Sequence, residues 1–216
     1  MKRVFLLLFL LFILQSEKIF SQSISDELTI SFNQFDNAVS FSEMMTSSSA
    51  LELIAITYPE EYISNYYASY SKAMVSYYEK EAKKRDLLID AAEVYFGNLN
   101  QLKPNEQETY ILAALIANAR LSVDGGSRWK KYGAIFDENL SAAKLINTTN
   151  PKINHLKGIA VFNTPKMFGG GKKNALEYLE KAKSQFEMQS TNTILIPYWG
   201  SKRNEFFLNQ CYEIKK

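Results

Sequence analysis

The sequence predicts an all-α fold, a row of helical hairpins, on three observations. Apolar residues recur at three- and four-residue steps along most of the chain, as one face of a helix requires. No segment keeps the strict alternation of a half-buried strand. Proline and glycine fall between the periodic stretches, where chain reversals belong.

In chain order, residues 1–22 come first, with Lys2 and Arg3 ahead of an unbroken apolar run of 11 residues from Val4 to Leu14. That run is too short to span a bilayer and suits the core of a signal peptide. The reading is an exported protein, periplasmic or secreted from a Gram-negative bacterium, with residues 23–216 as one α-helical domain. No later stretch is apolar enough for stable membrane insertion. Three of the 25 basic and one of the 23 acidic residues lie in the first 22 positions, leaving 22 of each. A chain without net charge lacks the electrostatic footprint of a nucleic-acid binder. His155 and Cys211 are the only His and the only Cys, so a multi-His or Cys-rich metal site cannot be built and no cofactor is expected. Cys211, between Leu208 and Tyr212, reads as a small buried hydrophobe, and His155 as half-exposed near a helix start.

Residues 25–45 carry Leu28, Phe32, Phe35 and Val39 on one helical face; Thr46 to Ser49 then reads as a polar break before a short helix, 50–56, stopped at Tyr58-Pro59. Residues 60–84 form an unusually aromatic helix, with Tyr62, Tyr66, Tyr70 and Tyr77 on one ridge and Tyr67, Met74 and Tyr78 beside it. The tyrosines serve either as core or as a stacking surface for a partner. Residues 85–102 continue as helix to Pro104, and 105–121 follow with Ala113, Ala114 and Ala117 as a small-residue face. Val123 to Gly126 reads as a turn, with Trp129, Lys131 and Tyr132 in a loop before a helix ending near Ile146. Asn150-Pro151 punctuates, and 152–162 is the helix ahead of a glycine loop.

That loop leads into the clearest helix of the chain, where Ala175, Leu176, Leu179, Ala182 and Phe186 make one stripe. The small alanines let a neighbouring helix approach closely. Gly169, Gly170 and Gly171, followed by Lys172 and Lys173, invite a phosphate-loop reading, but the spacing excludes it. A Walker loop needs glycine where Lys166 stands and Ser or Thr where Lys173 stands, and the third glycine of a dinucleotide loop would fall on Asn174. Two lysines opposing the dipole of a helix N-terminus still leave a place for an anion. After Pro197, Trp199 and Gly200, Ser201 reads as the cap of a last helix reaching Glu213.

Aligned on the prolines, the helices form a pattern. Ala92, Phe96 and Leu99 fall 12, 8 and 5 residues before Pro104, which resembles the second helix of a tetratricopeptide repeat. Asn105 to Ala117 looks like the first helix of the next unit; the last unit pairs Leu156 and Gly158 with Ala175, Leu179 and Ala182. The spacing stretches beyond the family's roughly 34-residue period, so the repeats are degenerate. The signal, YYASY (Tyr66 to Tyr70), KYG (Lys131 to Gly133), NTPKMFGGGKKNAL (Asn163 to Leu176) and Pro197 to Gly200 are together similar to short exported tetratricopeptide-repeat-like proteins of Bacteroidota. The resemblance implies hairpins stacked into a short right-handed solenoid and supplies no mechanism.

Three functions follow in order. The first is a non-catalytic scaffold of the cell envelope holding a protein or peptide, since a row of hairpins makes an extended surface. The second is a carrier for a small anion or sugar acid, in a pocket where Trp129 to Tyr132 and Phe168 to Lys173 converge with Trp199. The third is a hydrolase using carboxylates such as Glu60, Glu61, Asp86 and Asp90, the weakest because on helices these read as solvated faces. The candidate surface is Tyr66, Tyr67, Tyr70, Trp129, Lys131, Tyr132, Phe168, Gly169, Gly170, Gly171, Lys172, Lys173 and Trp199.

Overall fold

The computed structural model describes residues 24–189 and 193–213; the proposed signal segment lies outside them. Among the described residues there are nine α-helices and no strand: α1 (24–36), α2 (Phe41–Thr57), α3 (Tyr62–Ser76), α4 (Ala82–Leu102), α5 (Gln107–Val123), α6 (Gly125–Ile146), α7 (Pro151–Asn163), α8 (Lys172–Glu187) and α9 (Ser201–Tyr212). Each helix from α2 onward packs on the next, and α3, α5, α7 and α9 also touch in succession. None is long and apolar enough to cross a membrane.

Helix α3 is the centre, buried without interruption from Ile63 to Ser76 and covered by α2, α4 and α5. Four serines there are tolerated because each hydroxyl is satisfied: Ser64 donates to the Tyr58 carbonyl at 2.7 Å, Ser69 to the Ala92 carbonyl at 2.8 Å, Ser76 to the Ala73 carbonyl at 2.7 Å, and Ser71 pairs with Ser48 of α2 at 2.9 Å. On α8, Ala175, Leu179 and Ala182 are fully buried as the stripe requires. Leu179 lies so close to α7 that a Cβ on Gly158 would stand 2.7 Å from its Cδ2. Any larger residue there would displace the Leu179 side chain from its place in the core.

Four expectations are corrected. The first break falls at residues 37–40 instead of 46–49. Ser40 caps α2 by accepting from the Glu43 amide at 3.2 Å, and the Glu43 carboxylate reaches one residue past the cap to accept from the Val39 amide at 2.9 Å, so an S-x-x-E pair closes the helix start from both sides. Ser47 and Ser49 stay helical by donating back to the Glu43 and Met45 carbonyls. The second break is at residues 77–81, where the Glu79 carboxylate accepts from the Lys80 and Glu81 amides. Helix α6 begins at Gly125, because Asp124 accepts from the Gly126 and Ser127 amides, so Trp129, Lys131 and Tyr132 are helical and not in a loop. At α9 the cap is Gly200 in the left-handed region, φ 103°, not Ser201.

Residues 193–200 run back to the centre of the molecule. The Trp199 indole donates to the Tyr66 hydroxyl at 2.8 Å, and its ring stacks on Tyr70 with centroids 4.9 Å apart. Lys152, 1% exposed, donates to the Pro197 carbonyl at 2.8 Å, pairs with Glu108 at 2.9 Å and lies over the Trp199 ring. Glu108 also accepts from the Tyr66 hydroxyl at 3.0 Å and from Asn150 at 2.8 Å. One closed network thus fastens the chain ahead of α9 to α3, α5 and α7.

Candidate functional site: an apolar cleft

Beside this sealed centre lies an open cleft of about 1470 Å³. Its walls come from six places in the chain: Phe35, Val39, Phe41 and Met44 around the α1–α2 turn; Tyr70 and Met74 on α3 with Tyr77 just past its end; Asn118 and Leu121 on α5; Trp129 on α6; Ile159 and Phe168 on α7 and the following loop; and Arg203, Phe206 and Phe207 on α9. Val39 is 90% exposed, Phe168 72%, Trp129 63% and Phe206 58%. Single exposed apolar residues are ordinary, but four converging on one concavity mark a binding surface.

The geometry follows from helix ends. Residues 37–40 separate α1 from α2, and Val39 and Phe41 at that turn stand exposed on the cleft wall. At the opposite wall Gly169, φ 80°, and Gly171, φ 97°, reverse the chain after a 3₁₀ turn, Lys166–Phe168, and leave Phe168 outside. A Cβ at Gly170 would lie 2.0 Å from the Thr164 carbonyl oxygen. The glycine run therefore has a steric reason to exist.

Polar groups are few. Lys202 is neutralised by Asp36 at 2.5 Å and donates to Asn37 at 2.8 Å. Arg203 makes no ion pair or hydrogen bond among the described residues; it lies over the Tyr77 ring at 5.0 Å and the Phe207 ring at 5.6 Å. The buried Tyr77 hydroxyl has no partner among the described residues, with Asn118 beside it short of a well-formed hydrogen bond. Burial pushes that hydroxyl up to about 12, against the opposing pull of Arg203 and Arg85, so it stays protonated. At the inner end a recess of about 10 Å³ is lined by Tyr70, Tyr77, Asn118, His155, Trp199 and Arg203.

His155 is 1% exposed, not half-exposed. Its Nδ1 pairs with Asn204 Oδ1 at 3.2 Å, and Asn204 in turn donates to the Leu179 carbonyl at 2.9 Å. Burial drives the imidazole down to about 3, the Asn204 contact offsetting only part of this, so it is neutral. Cys211 is buried, which raises its thiol. No group of three or more His, Cys, Asp or Glu among the described residues is placed to hold a metal ion.

The residues singled out from sequence divide. Trp129 and Phe168 line the cleft, Tyr70 lines cleft and recess, and Trp199 lines the recess. Tyr66 and Tyr67 are fully enclosed in the core. Lys131 lies over the Tyr132 ring at 5.0 Å and Lys172 over the Phe162 ring at 5.7 Å; these four, with Gly169 to Gly171 and Lys173, stand outside the cleft lining. Asp90 is exposed, as a solvated face requires, whereas Asp86 is half-buried, and both are ion-paired. Arg120 binds Asp86, Asp90 and Glu93, and Arg128 binds Asp86 at 2.6 Å, tying α4 to α5 and α6. Hydrogen bonds from Arg128 and then Arg120 hold the Asp86 carboxyl down at about 2 despite partial burial, which unsuits it to donate protons near neutrality. Sequence reasoning missed Arg203, Tyr77 as a polar group, and Phe206. The one signal available was basic residues in the first turn of α9, where they oppose the dipole.

No protein-family model matches the chain, tetratricopeptide or other, and no curated protein does. Among solved structures it is similar to the HusA haemophore from Porphyromonas gingivalis, at 24% identity over 91% of this chain and 94% of that one, with a TM-score of 0.72. The likeness extends over the whole all-helical fold.

Proposed function

We propose that this protein is a non-catalytic carrier of the cell envelope, exported behind residues 1–22, that holds a large apolar ligand of the haem class in the cleft. The observation that carries this reading is the cleft itself: about 1470 Å³, beyond the roughly 300–1,000 Å³ of ordinary small-molecule pockets, walled by aromatic and aliphatic side chains. The haemophore named above, alike in fold, supports it. A sugar acid fits poorly, because its hydroxyls would meet hydrocarbon. Among side-chain types that ligate haem iron, Met44, Met74, Tyr70, Tyr77 and Tyr78 line the cleft, while His155 and Cys211 do not. The succession of packed hairpins supports the finer fold reading, a short right-handed solenoid of tetratricopeptide type, with the cleft between its two ends.

The test is titration of the purified protein with haemin, read by the Soret band in wild type and variant and by quenching of tryptophan fluorescence in wild type. Saturable one-to-one binding at micromolar or lower concentration is the expected outcome, weakened at least tenfold in Trp129→Ser/Phe206→Ser. Absence of saturation would remove the reading. The earlier one, a protein or peptide partner, draws support from the exposure of Phe168 on the cleft wall and of Met167 next to it in the chain; a stoichiometric co-purifying polypeptide displaced by the same double variant would favour it.

A further inference from the structure

The inner end of the cleft carries a feature that an apolar ligand alone does not use. Arg203 enters a wall otherwise made of Tyr77, Phe206, Phe207, Met74 and Ile159, with five N–H donors and no acceptor among the described residues. Its neighbour Lys202 has Asp36 and Asn37 for company, so no spare carboxylate from that side satisfies it. A half-buried guanidinium without an anion is costly in such surroundings, whereas a bidentate carboxylate repays it.

A second, independent group faces the same place. The Tyr77 hydroxyl is a buried donor with no hydrogen-bond partner among the described residues, and buried polar groups are seldom left so. The Asn118 amide borders it, and all three side chains line both the cleft and the recess at its inner end. That recess, about 10 Å³, has room for roughly one water-sized atom. Both cations of the first turn of α9 also sit at the helix N-terminus, where backbone amides and the dipole favour negative charge.

We infer that Arg203, with the Tyr77 hydroxyl and the Asn118 amide, forms a carboxylate subsite at the inner end of the cleft, so that the ligand is an amphiphile held acid end inward. The inference rests on the carrier reading and adds the ligand's polarity and direction. A ligand with carboxylates at one edge of a flat apolar body meets both halves of the cleft: aromatic walls for the body, the Arg203 fork for the acid.

The experiment uses two probes with the same macrocycle, protoporphyrin IX and its dimethyl ester, the second without carboxylate charges, titrated against the purified protein and followed by Trp fluorescence and porphyrin absorbance. The diacid is expected to bind at least tenfold more tightly than the diester. Arg203→Gln should lower diacid affinity at least tenfold and diester affinity less than twofold, with Arg203→Lys between wild type and Arg203→Gln. Tyr77→Phe should weaken the diacid about threefold while leaving the melting temperature equal or higher, because it removes an unpartnered buried hydroxyl. Equal binding of both probes, or Arg203→Gln indistinguishable from wild type for the diacid, overturns the subsite and leaves the carrier reading intact. Failure of wild type to bind either probe overturns the carrier reading and the subsite with it. Tyr77→Phe also guards against a misfolded Arg203 variant, since a diacid affinity unchanged in Tyr77→Phe counts against the subsite by itself.

Discussion

Tyrosines stand at both ends of α3 and behave in opposite ways. Around Tyr66 and Tyr67, near its start, every hydroxyl, indole and ammonium group has a partner: Tyr66 joins Glu108 and Trp199, Tyr67 accepts from the Tyr198 amide at 3.4 Å, and Lys152 joins Glu108 and the Pro197 carbonyl. Around Tyr77, just past its end, the hydroxyl has no partner and Arg203 no anion among the described residues, and Val39, Trp129, Phe168 and Phe206 stand in water. Composition does not separate a core from a binding site; completeness does. Where polar groups are satisfied and apolar ones covered, the arrangement is finished by the chain itself. Where both are left over in one concavity, a ligand completes it.

That contrast breaks most visibly at Lys152. Lys152→Met leaves the Glu108 carboxylate facing the core without its cation, and removing one partner of a buried pair costs about 3–5 kcal/mol. Urea denaturation should show a loss of that size, whereas Lys202→Met, whose ammonium group is largely in water, should change stability by about 0.5 kcal/mol or less. Equal losses would erase the distinction between the two regions.

A smaller effect comes from pH. His155 titrates at its ordinary 6.5 when unfolded and near 3 when buried, so between these values the unfolded chain binds a proton that the folded one refuses. Stability therefore falls as pH drops below 6.5, by at most one proton or about 1.4 kcal/mol per pH unit. Asp86 acts in the same direction but lower, between its ordinary 3.8 and about 2, as protonation cancels its bonds to Arg128 and Arg120. Melting temperatures from pH 7 to 4.5 should decline in wild type and stay nearly flat in His155→Gln. A wild-type curve already flat over that range would mean that the imidazole is not sealed.

What the sequence could show is set by how local the cause is. The stripe on α8, the proline entry to α7 and the glycine reversal before Lys172 depend on neighbours within a few residues, and were legible. Ser47 and Ser49 look like a break because serine is a common cap, yet their hydroxyls bond back to carbonyls of the same helix. Gly125 and Gly126 look like a turn, yet the Asp124 carboxylate starts a helix there. The cleft was illegible for a stronger reason. Its walls come from stretches as distant as Val39, Trp129 and Phe206, and the property that makes Arg203 notable, the lack of an acidic neighbour, belongs to the packed structure.

Within the finished region, Tyr66→Phe removes the acceptor for the Trp199 indole and the donor to Glu108 while keeping the ring. A cost of about 1–2 kcal/mol in denaturant follows, the expense of leaving a buried indole N–H unpaired. In the unfinished region, Val39→Ser and Trp129→Ser alter residues already 90% and 63% exposed, and their stabilities should stay within about 0.5 kcal/mol of wild type. The smallest change in stability is thereby the sharpest test. If trimming the cleft wall costs nothing to the fold but abolishes ligand-dependent stabilisation on heating, the exposed aromatic surface is retained for what it binds; if trimming it unfolds the protein, that surface is core after all.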